Sequence, residues 1–353
     1  MHRIERVRTK LSEMNLDGAL FFKPENRFYL SGFTGSTGYV LITKDRAIFI
    51  TDFRYDNQAK EQCKGYDVEI IGFDRTLYDV INEQKIHQLG FEDDFMSYEQ
   101  YADFKEKQGA QLVRMNRMIE KIRLFKDDEE IEEIQKAQDI ADKVFSELLD
   151  FIKPGKTERE VHHYMLERMR AHGASGESFD AIIASGVRGA LPHGVASDKV
   201  IEKGELLTLD FGCIYNMYCS DMTRTIAVDE ISDKQREIYE VVLEAQKRAL
   251  AAIKPGVRTA DIDAIARDYI TEKGYGENFG HGLGHGVGLE VHEAPRLSPK
   301  SDEVLEEGMV ITDEPGIYIE GFGGVRIEDI ILVTEDSHRV LSKSTKELIT
   351  LDV

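Results

Sequence analysis

The sequence predicts two domains: a smaller α/β unit over residues 1–123, then an α+β unit over residues 124–353 built as an internal duplication. Three observations carry this. Strand-like and helix-like runs alternate through the first 120 residues. The pattern changes at residues 121–130, where a long amphipathic run begins. Beyond it, two motifs recur at a spacing of just over a hundred residues, too long for a solenoid repeat. With 353 residues, 41% of them hydrophobic, the chain is long enough to bury two cores.

In the first unit GALFF, GYVLIT, AIFIT and VEIIGF read as strands, and ERVRTKLSEM and TLYDVINEQK as helices. NRFYLSGFTGSTG, rich in Gly, Ser and Thr, reads as a loop. This unit holds no dense cluster of catalytic residue types. The second unit opens near residue 124. Asp127, followed three residues later by Glu130, resembles a helix start with acidic groups at the positive end of the helix dipole. The run KDDEEIEE reads as the solvated face of that helix.

The duplication follows. FIKPGKTEREV at 151–161 is echoed by AIKPGVRTADI at 252–262, each a helix end, a Lys-Pro-Gly turn and a Thr placed to cap the next helix. KGELLTLDFGCIY at 203–215 parallels EGMVITDEPGIY at 307–318. The offset is 101 at the prolines (154 to 255) and 104 at the acids (210 to 314), so a small insertion separates the halves. Two halves facing each other across a shared site are the expected result.

Composition excludes several roles. No apolar run reaches the roughly 18 residues that a membrane-spanning helix needs. The start, MHRIERVRTKLSEMNLDGALFF, lacks the apolar core and small-residue cleavage site of a signal peptide, so a cytoplasmic location is expected. A net charge of −21 argues against nucleic acid or an anionic membrane as partner. Cys63, Cys213 and Cys219 are too few and too scattered for a disulfide framework or a thiolate metal site. They read as small buried side chains.

The chemistry lies in four carboxylates and one histidine: Asp210, Asp221, His285, Glu314 and Glu328. Each acid sits in or beside an apolar, β-rich run, where an unpaired carboxylate is costly to bury. Two divalent cations would offset the four negative charges, and oxygen-rich ligation with one imidazole suits hard or borderline ions. Such pairs, roughly 3.5–4 Å apart, are a device for hydrolysis. Asp210 and Asp221, eleven apart, come side by side only if a turn lies between them. Glu314 and Glu328 repeat the arrangement fourteen apart, with GFGG supplying the turn. His281, His285 and His292 fall in a Gly-rich stretch whose glycines let the backbone approach a ligand closely, and His193 sits in ALPHGVAS. His87, His162, His163, His172 and His338 read as ordinary polar groups.

LPHG, LDFG…YCSDMTRT, GHGVGLEVHEAPR, EPGIY and GGVRIED together resemble the metal-dependent pita-bread peptidases, the family of prolidase, aminopeptidase P and methionine aminopeptidase. YLSGFTGSTGYVLIT and ITDFRYDNQA resemble the N-terminal domain of the prolidase and aminopeptidase P branch. The resemblance covers nearly the whole chain, with Cys213 and Met217 as slight departures. It implies a curved antiparallel sheet with helices outside, the pita-bread (creatinase/aminopeptidase-like) fold with a pseudo-two-fold repeat.

The resemblance further implies two divalent metal ions, manganese or cobalt first, with zinc and iron as alternatives. Asp210 and Asp221 would hold one, His285 and Glu314 the other, with Asp221 and Glu328 bridging. A hydroxide between the metals would be the nucleophile and Glu314 the proton shuttle. His193 and His292 would contact the substrate and stabilise the tetrahedral intermediate, with His281 a weaker substrate-side candidate. Arg296, in HEAPRL, would bind the substrate's C-terminal carboxylate. Arg326, two residues before Glu328, would orient that carboxylate or reach the substrate. The implied activity is hydrolysis of Xaa-Pro bonds in small proline-containing peptides by an Xaa-Pro dipeptidase, with aminopeptidase P, acting on longer peptides, as the alternative. A metal-free creatinase-like hydrolase and a non-catalytic binding relative are further alternatives. The family also suggests a homodimer.

Overall fold

The structure is a computed structural model that describes residues 2–353. It divides into two compact units, Met1–Arg123 and Leu124–Val353. Among the described residues, no helix is long and apolar enough to cross a membrane.

The first unit is a six-stranded mixed sheet in the order Asp67–Ile71, Ala47–Asp52, Tyr39–Thr43, Gly18–Phe21, Gln88–Phe91, Gln111–Arg114. Tyr39–Thr43 runs antiparallel to both of its neighbours, and the remaining pairs are parallel. The central strands are buried along nearly their whole length, as expected of strands covered on both faces. One expectation fails. The first half of NRFYLSGFTGSTG is not loop but the end of a helix, Pro24–Ser31. Pro24 starts it without wasting a donor, and Gly32, at φ 72°, ends it with its N–H on the Phe28 carbonyl. Glycine at the helix end was mistaken for the loop itself.

The second unit contains the duplication in three dimensions. Each half is a helix pair with a sheet, antiparallel throughout in the second half and antiparallel in the first except for the parallel edge strand Thr350–Leu351. The helices are Asp128–Phe151 and Glu158–Ala171 in the first, Asp233–Ala252 and Thr259–Glu272 in the second. The sheets run in the orders Thr350–Leu351, Met222–Val228, Glu205–Phe211, Ile182–Ser185 and Glu293–Leu297, Gly284–Gly286, Val310–Asp313, Asp329–Val333, His338–Val340. Backbone hydrogen bonds repeat between halves. Gly155 N reaches Ile201 O at 3.0 Å and Gly256 N reaches Leu305 O at 2.8 Å; Glu158 N reaches Lys199 O at 3.0 Å and Thr259 N reaches Glu303 O at 2.9 Å. The donors are offset by 101 residues and the acceptors by 104, so the insertion lies between them.

This repeat corrects one capping assignment. Thr157 caps its helix in a reciprocal box with Glu160. Its counterpart is Arg258, which makes no side-chain cap bond, and Thr259 falls one residue inside the helix. The offset stays at 101 through this turn, so no residue is inserted; the threonine simply stands one position later in KPGVRT, past the cap. The turn between Asp210 and Asp221 is made by Asn216 (φ 44°) and Met217 (φ 73°), a two-residue hairpin with both centres left-handed. Asn suits that region and Met does not. Met217→Gly is expected to stabilise the protein by about 0.5–1 kcal/mol. A urea midpoint that stays put or falls would show that the half-buried methionine side chain outweighs the backbone strain.

Candidate metal centre and peptide cavity

The five predicted ligands come together at strand ends. Asp210 lies near the end of Glu205–Phe211, Asp221 just before Met222–Val228, and His285 within Gly284–Gly286. Glu314 follows Val310–Asp313, and Glu328 precedes Asp329–Val333. The backbone approaches closely here: a Cβ on Gly284 would lie 2.1 Å from the Thr312 carbonyl oxygen.

Ladder register refines how the halves correspond. In the first half Asp210 pairs with Thr223 and Ile214 with Cys219, one continuous register that sets Asp221 opposite Gly212. In the second half Asp313 pairs with Asp329 and Gly316 with Arg326, which sets Glu314 opposite Glu328. Asp210 and Glu314 are therefore equivalent, but Asp221 and Glu328 are not. Arg326 occupies the position of Asp221, and Glu328 that of Thr223. Both residues of each pair, two apart on a strand, project from the same face, so the acid changes place without leaving the site.

The donor set fits divalent cations on this geometry. The ligand atoms of Asp221, His285 and Glu328 lie within 4.8 Å of one another. His285 Nε2 is 3.2 Å from Glu314 Oε1 and 3.6 Å from Asp221 Oδ2. The other ring nitrogen, Nδ1, is 3.0 Å from the Gly286 carbonyl, which only accepts, so Nδ1 carries the proton and Nε2 is turned to the acids. Glu328 Oε1 is buried without a hydrogen-bond partner, while Oε2 accepts from the Thr223 hydroxyl at 2.7 Å. Burial, and then the neighbouring carboxylates, push Asp221 and Glu328 well above the usual carboxyl range. Burial also raises Asp210, against the Arg326 charge. Glu314 is the exception. Burial would raise it, but a hydrogen bond from His285 and that ring's charge hold it at about 2.

A cavity of about 900 Å³ opens over these residues, lined also by Phe179, His193, His292, Arg296 and Tyr318. That volume is of the size used for small ligands. His193 and His292 are exposed on its wall. Although its edge is open to the cavity, the surrounding wall desolvates His292, and that, then His285 and Arg296, lower it to about 4, so it is a neutral imidazole near neutral pH. Arg296 lies directly across the ladder from His285. Its guanidinium is exposed, and among the described residues no carboxylate pairs with it.

Arg326 differs from expectation. It does not reach Glu328; its donors go to Asp210, to the Thr223 hydroxyl at 3.2 Å and to Tyr318 Oη at 2.7 Å. It is buried, lines the cavity, and directs its nitrogens to these protein groups. His281 also bonds the Tyr318 hydroxyl, at 2.9 Å, while its Nδ1 lies 2.7 Å from the Gly282 carbonyl. Sequence reasoning missed Tyr318, although EPGIY contains it, and missed Thr223 and Thr312. The Thr312 hydroxyl accepts from the His285 N–H at 3.0 Å and donates to Glu314 at 3.2 Å. Cys213 and Cys219 are buried thiols outside any disulfide, and burial raises the Cys213 thiol to about 11.

Comparison with known proteins identifies the class. The model of metallopeptidase family M24 matches residues 132–335, and that of the Creatinase/Prolidase N-terminal domain matches residues 3–125. The chain belongs to metallopeptidase family M24: it is a hydrolase with the pita-bread fold, of a family that works with divalent metal ions. It is 46% identical to an Xaa-Pro dipeptidase of Pyrococcus furiosus, over 98% of this chain and 99% of that one. Its structure is similar to that of an Xaa-Pro dipeptidase from Bacillus anthracis, with TM-score 0.97, 52% identity and 99% of each chain covered. It is also similar to that of an X-Pro aminopeptidase from Thermotoga maritima, with TM-score 0.91, 39% identity, and 97% and 99% covered.

Proposed function

We propose that the protein is an Xaa-Pro dipeptidase that works with two divalent cations, manganese or cobalt, held by Asp210, Asp221, His285, Glu314 and Glu328. The observation that carries the dipeptidase reading is the unpaired Arg296 guanidinium on the cavity wall, across the ladder from His285. A dipeptide ends in a carboxylate within one residue of the scissile bond, and a guanidinium matches it bidentately.

When bound, the cations supply Lewis acidity and lower the pKa of water to about 7. Glu314 takes the proton from the attacking water and passes it to the proline nitrogen, which leaves as a neutral secondary amine. His292, neutral at working pH, and His193 donate hydrogen bonds to the substrate carbonyl as its oxygen gains charge. Arg326 and Tyr318 hold Asp210 in place. The charge balance supports this division of labour: four carboxylates with Arg326 carry −3, so two dications leave one positive charge to meet the negative charge that develops in the transition state.

The alternative is an Xaa-Pro aminopeptidase, favoured by the similarity to the X-Pro aminopeptidase structure. Met-Pro, Met-Pro-amide and Met-Pro-Ala assayed side by side separate the two. Faster cleavage of the tripeptide would overturn the dipeptidase reading. Arg296→Met is expected to raise KM for Met-Pro about 10–100-fold, the worth of a charge-assisted hydrogen-bond pair, and to leave the amide nearly unchanged. Equal effects on both would remove Arg296 from carboxylate recognition.

A further inference from the structure

The second helix of each half begins at a side chain that ties down a loop of the cavity wall. In the first half this is Glu158, the opening residue of the helix Glu158–Ala171, whose carboxylate is completely buried. It accepts from five donors, all on the segment that carries His193. Ser185 N and Oγ lie at 2.8 and 3.0 Å from Oε1, and Ser197 N and Oγ at 3.1 and 2.6 Å from Oε2. Arg188 Nε is 3.0 Å from Oε2, and the same guanidinium donates to the Val195 carbonyl at 2.6 Å. Both ends and the middle of the stretch 185–197 thus converge on one carboxylate, with His193 between two of the anchored points. A buried carboxylate saturated by donors at the positive end of a helix dipole is a rigid anchor.

The second half has the same device with different chemistry. Thr259 is the equivalent of Glu158, and Ser301 that of Ser197, by the offsets of 101 and 104 that relate the halves. Thr259 Oγ1 is 2.8 Å from Ser301 Oγ, Ser301 Oγ reaches Glu303, and Glu303 Oε2 accepts the Arg296 N–H at 2.9 Å. The helix start that holds His193 in one half therefore corresponds to the one that holds the Arg296 backbone in the other.

We propose that Glu158 is a positioning residue: it fixes the 185–197 loop so that His193 faces the reacting carbonyl, and it acts on turnover through that histidine alone. The proposal rests on the reading of His193 as a substrate contact. It touches no metal ligand and predicts a specific kinetic pattern. Glu158→Gln replaces an acceptor on one oxygen by a donor, so the backbone N–H that faces it loses its tie, while the serine hydroxyl beside it can turn to accept.

The test is a double-mutant cycle on Met-Pro hydrolysis with saturating manganese, using Glu158→Gln, His193→Ala and the pair, with bound metal measured on each. Glu158→Gln is expected to lower kcat/KM about ten-fold, mostly in kcat, because small misplacement of a catalytic contact is costly. Bound metal should stay unchanged. In the His193→Ala background the same change should cost less than about two-fold, since residues acting as a unit are not additive. Additive losses, or metal loss in Glu158→Gln, would assign Glu158 to general stability and overturn the proposal. If His193→Ala leaves turnover intact, the reading of His193 fails and takes the proposal with it. Ser197→Ala, which removes one tie only, serves if Glu158→Gln does not fold; about a three-fold loss that vanishes without His193 supports the proposal, and a loss that persists overturns it.

Discussion

Asp221→Asn is expected to abolish activity while making the metal-free protein more stable, two effects of opposite sign from one atom. Asp221 is fully buried among Asp210, Glu314 and Glu328, and its carboxyl is pushed well above the usual range. The amide keeps the shape and removes the charge, which relieves like-charge repulsion when no cation offsets it. With metal the same change removes one of the proposed ligands, and kcat/KM should fall by more than the roughly 10–100-fold typical of residues that only support a ligand. Thermal unfolding of chelated and metal-loaded samples reads the stability, and Met-Pro hydrolysis reads the activity. If the substitution destabilises both states equally, Asp221 does not carry metal charge.

The pH dependence of the chelated protein follows from the same groups. In the folded chain Asp210, Asp221 and Glu328 are raised, so they hold protons that the unfolded chain releases near pH 4. Above that pH the unfolded state binds fewer protons, and stability falls as pH rises through the folded values. Glu314, held at about 2, works the other way: its contribution is present above about pH 4.5 and is lost as pH falls towards 2. The chelated protein is thus expected to weaken as pH rises above about 4, through the raised folded values of these three groups. Bound metal, which stabilises by about 4.1 kcal/mol at a thousand-fold excess over Kd, should flatten that slope.

Arg326→Met should be the most destabilising single change in the metal-loaded enzyme, by about 3–5 kcal/mol. It leaves the Asp210 carboxylate and the Tyr318 hydroxyl buried without their donor. Arg326→Lys should not restore stability, because one ammonium cannot span Asp210, Thr223 and Tyr318 as the planar guanidinium does. A urea midpoint shift worth less than about 1 kcal/mol would mean that Asp210 is held by other means.

Much of the candidate metal centre was legible because its residues contradict their surroundings. An acid in an apolar strand needs a partner, and four such anomalies in repeated motifs, with one histidine among glycines, mark a candidate site before any coordinates exist. The helix Pro24–Ser31 was not legible, because a Gly that ends a helix and a Gly that marks a loop look alike in sequence. Tyr318 was overlooked because its meaning depends on His281 and Arg326, residues remote in sequence that meet at its hydroxyl. Glu158 gave no signal either: an acid at a helix start reads as an ordinary dipole partner, and only the converging loop distinguishes it.

The sequence by itself determined the acids, the single imidazole and the fact of duplication, since residue type and spacing are enough to state a charge that must be offset. Only the tertiary structure decided which positions correspond. Ladder register puts Arg326 where Asp221 stands in the other half, and Glu328 where Thr223 stands. Pairing between strands is a long-range property that local spacing does not encode, and a shift of two residues along a strand keeps a side chain on the same face. The two halves therefore share a backbone but not a charge pattern, and a guanidinium takes the place of a fifth carboxylate.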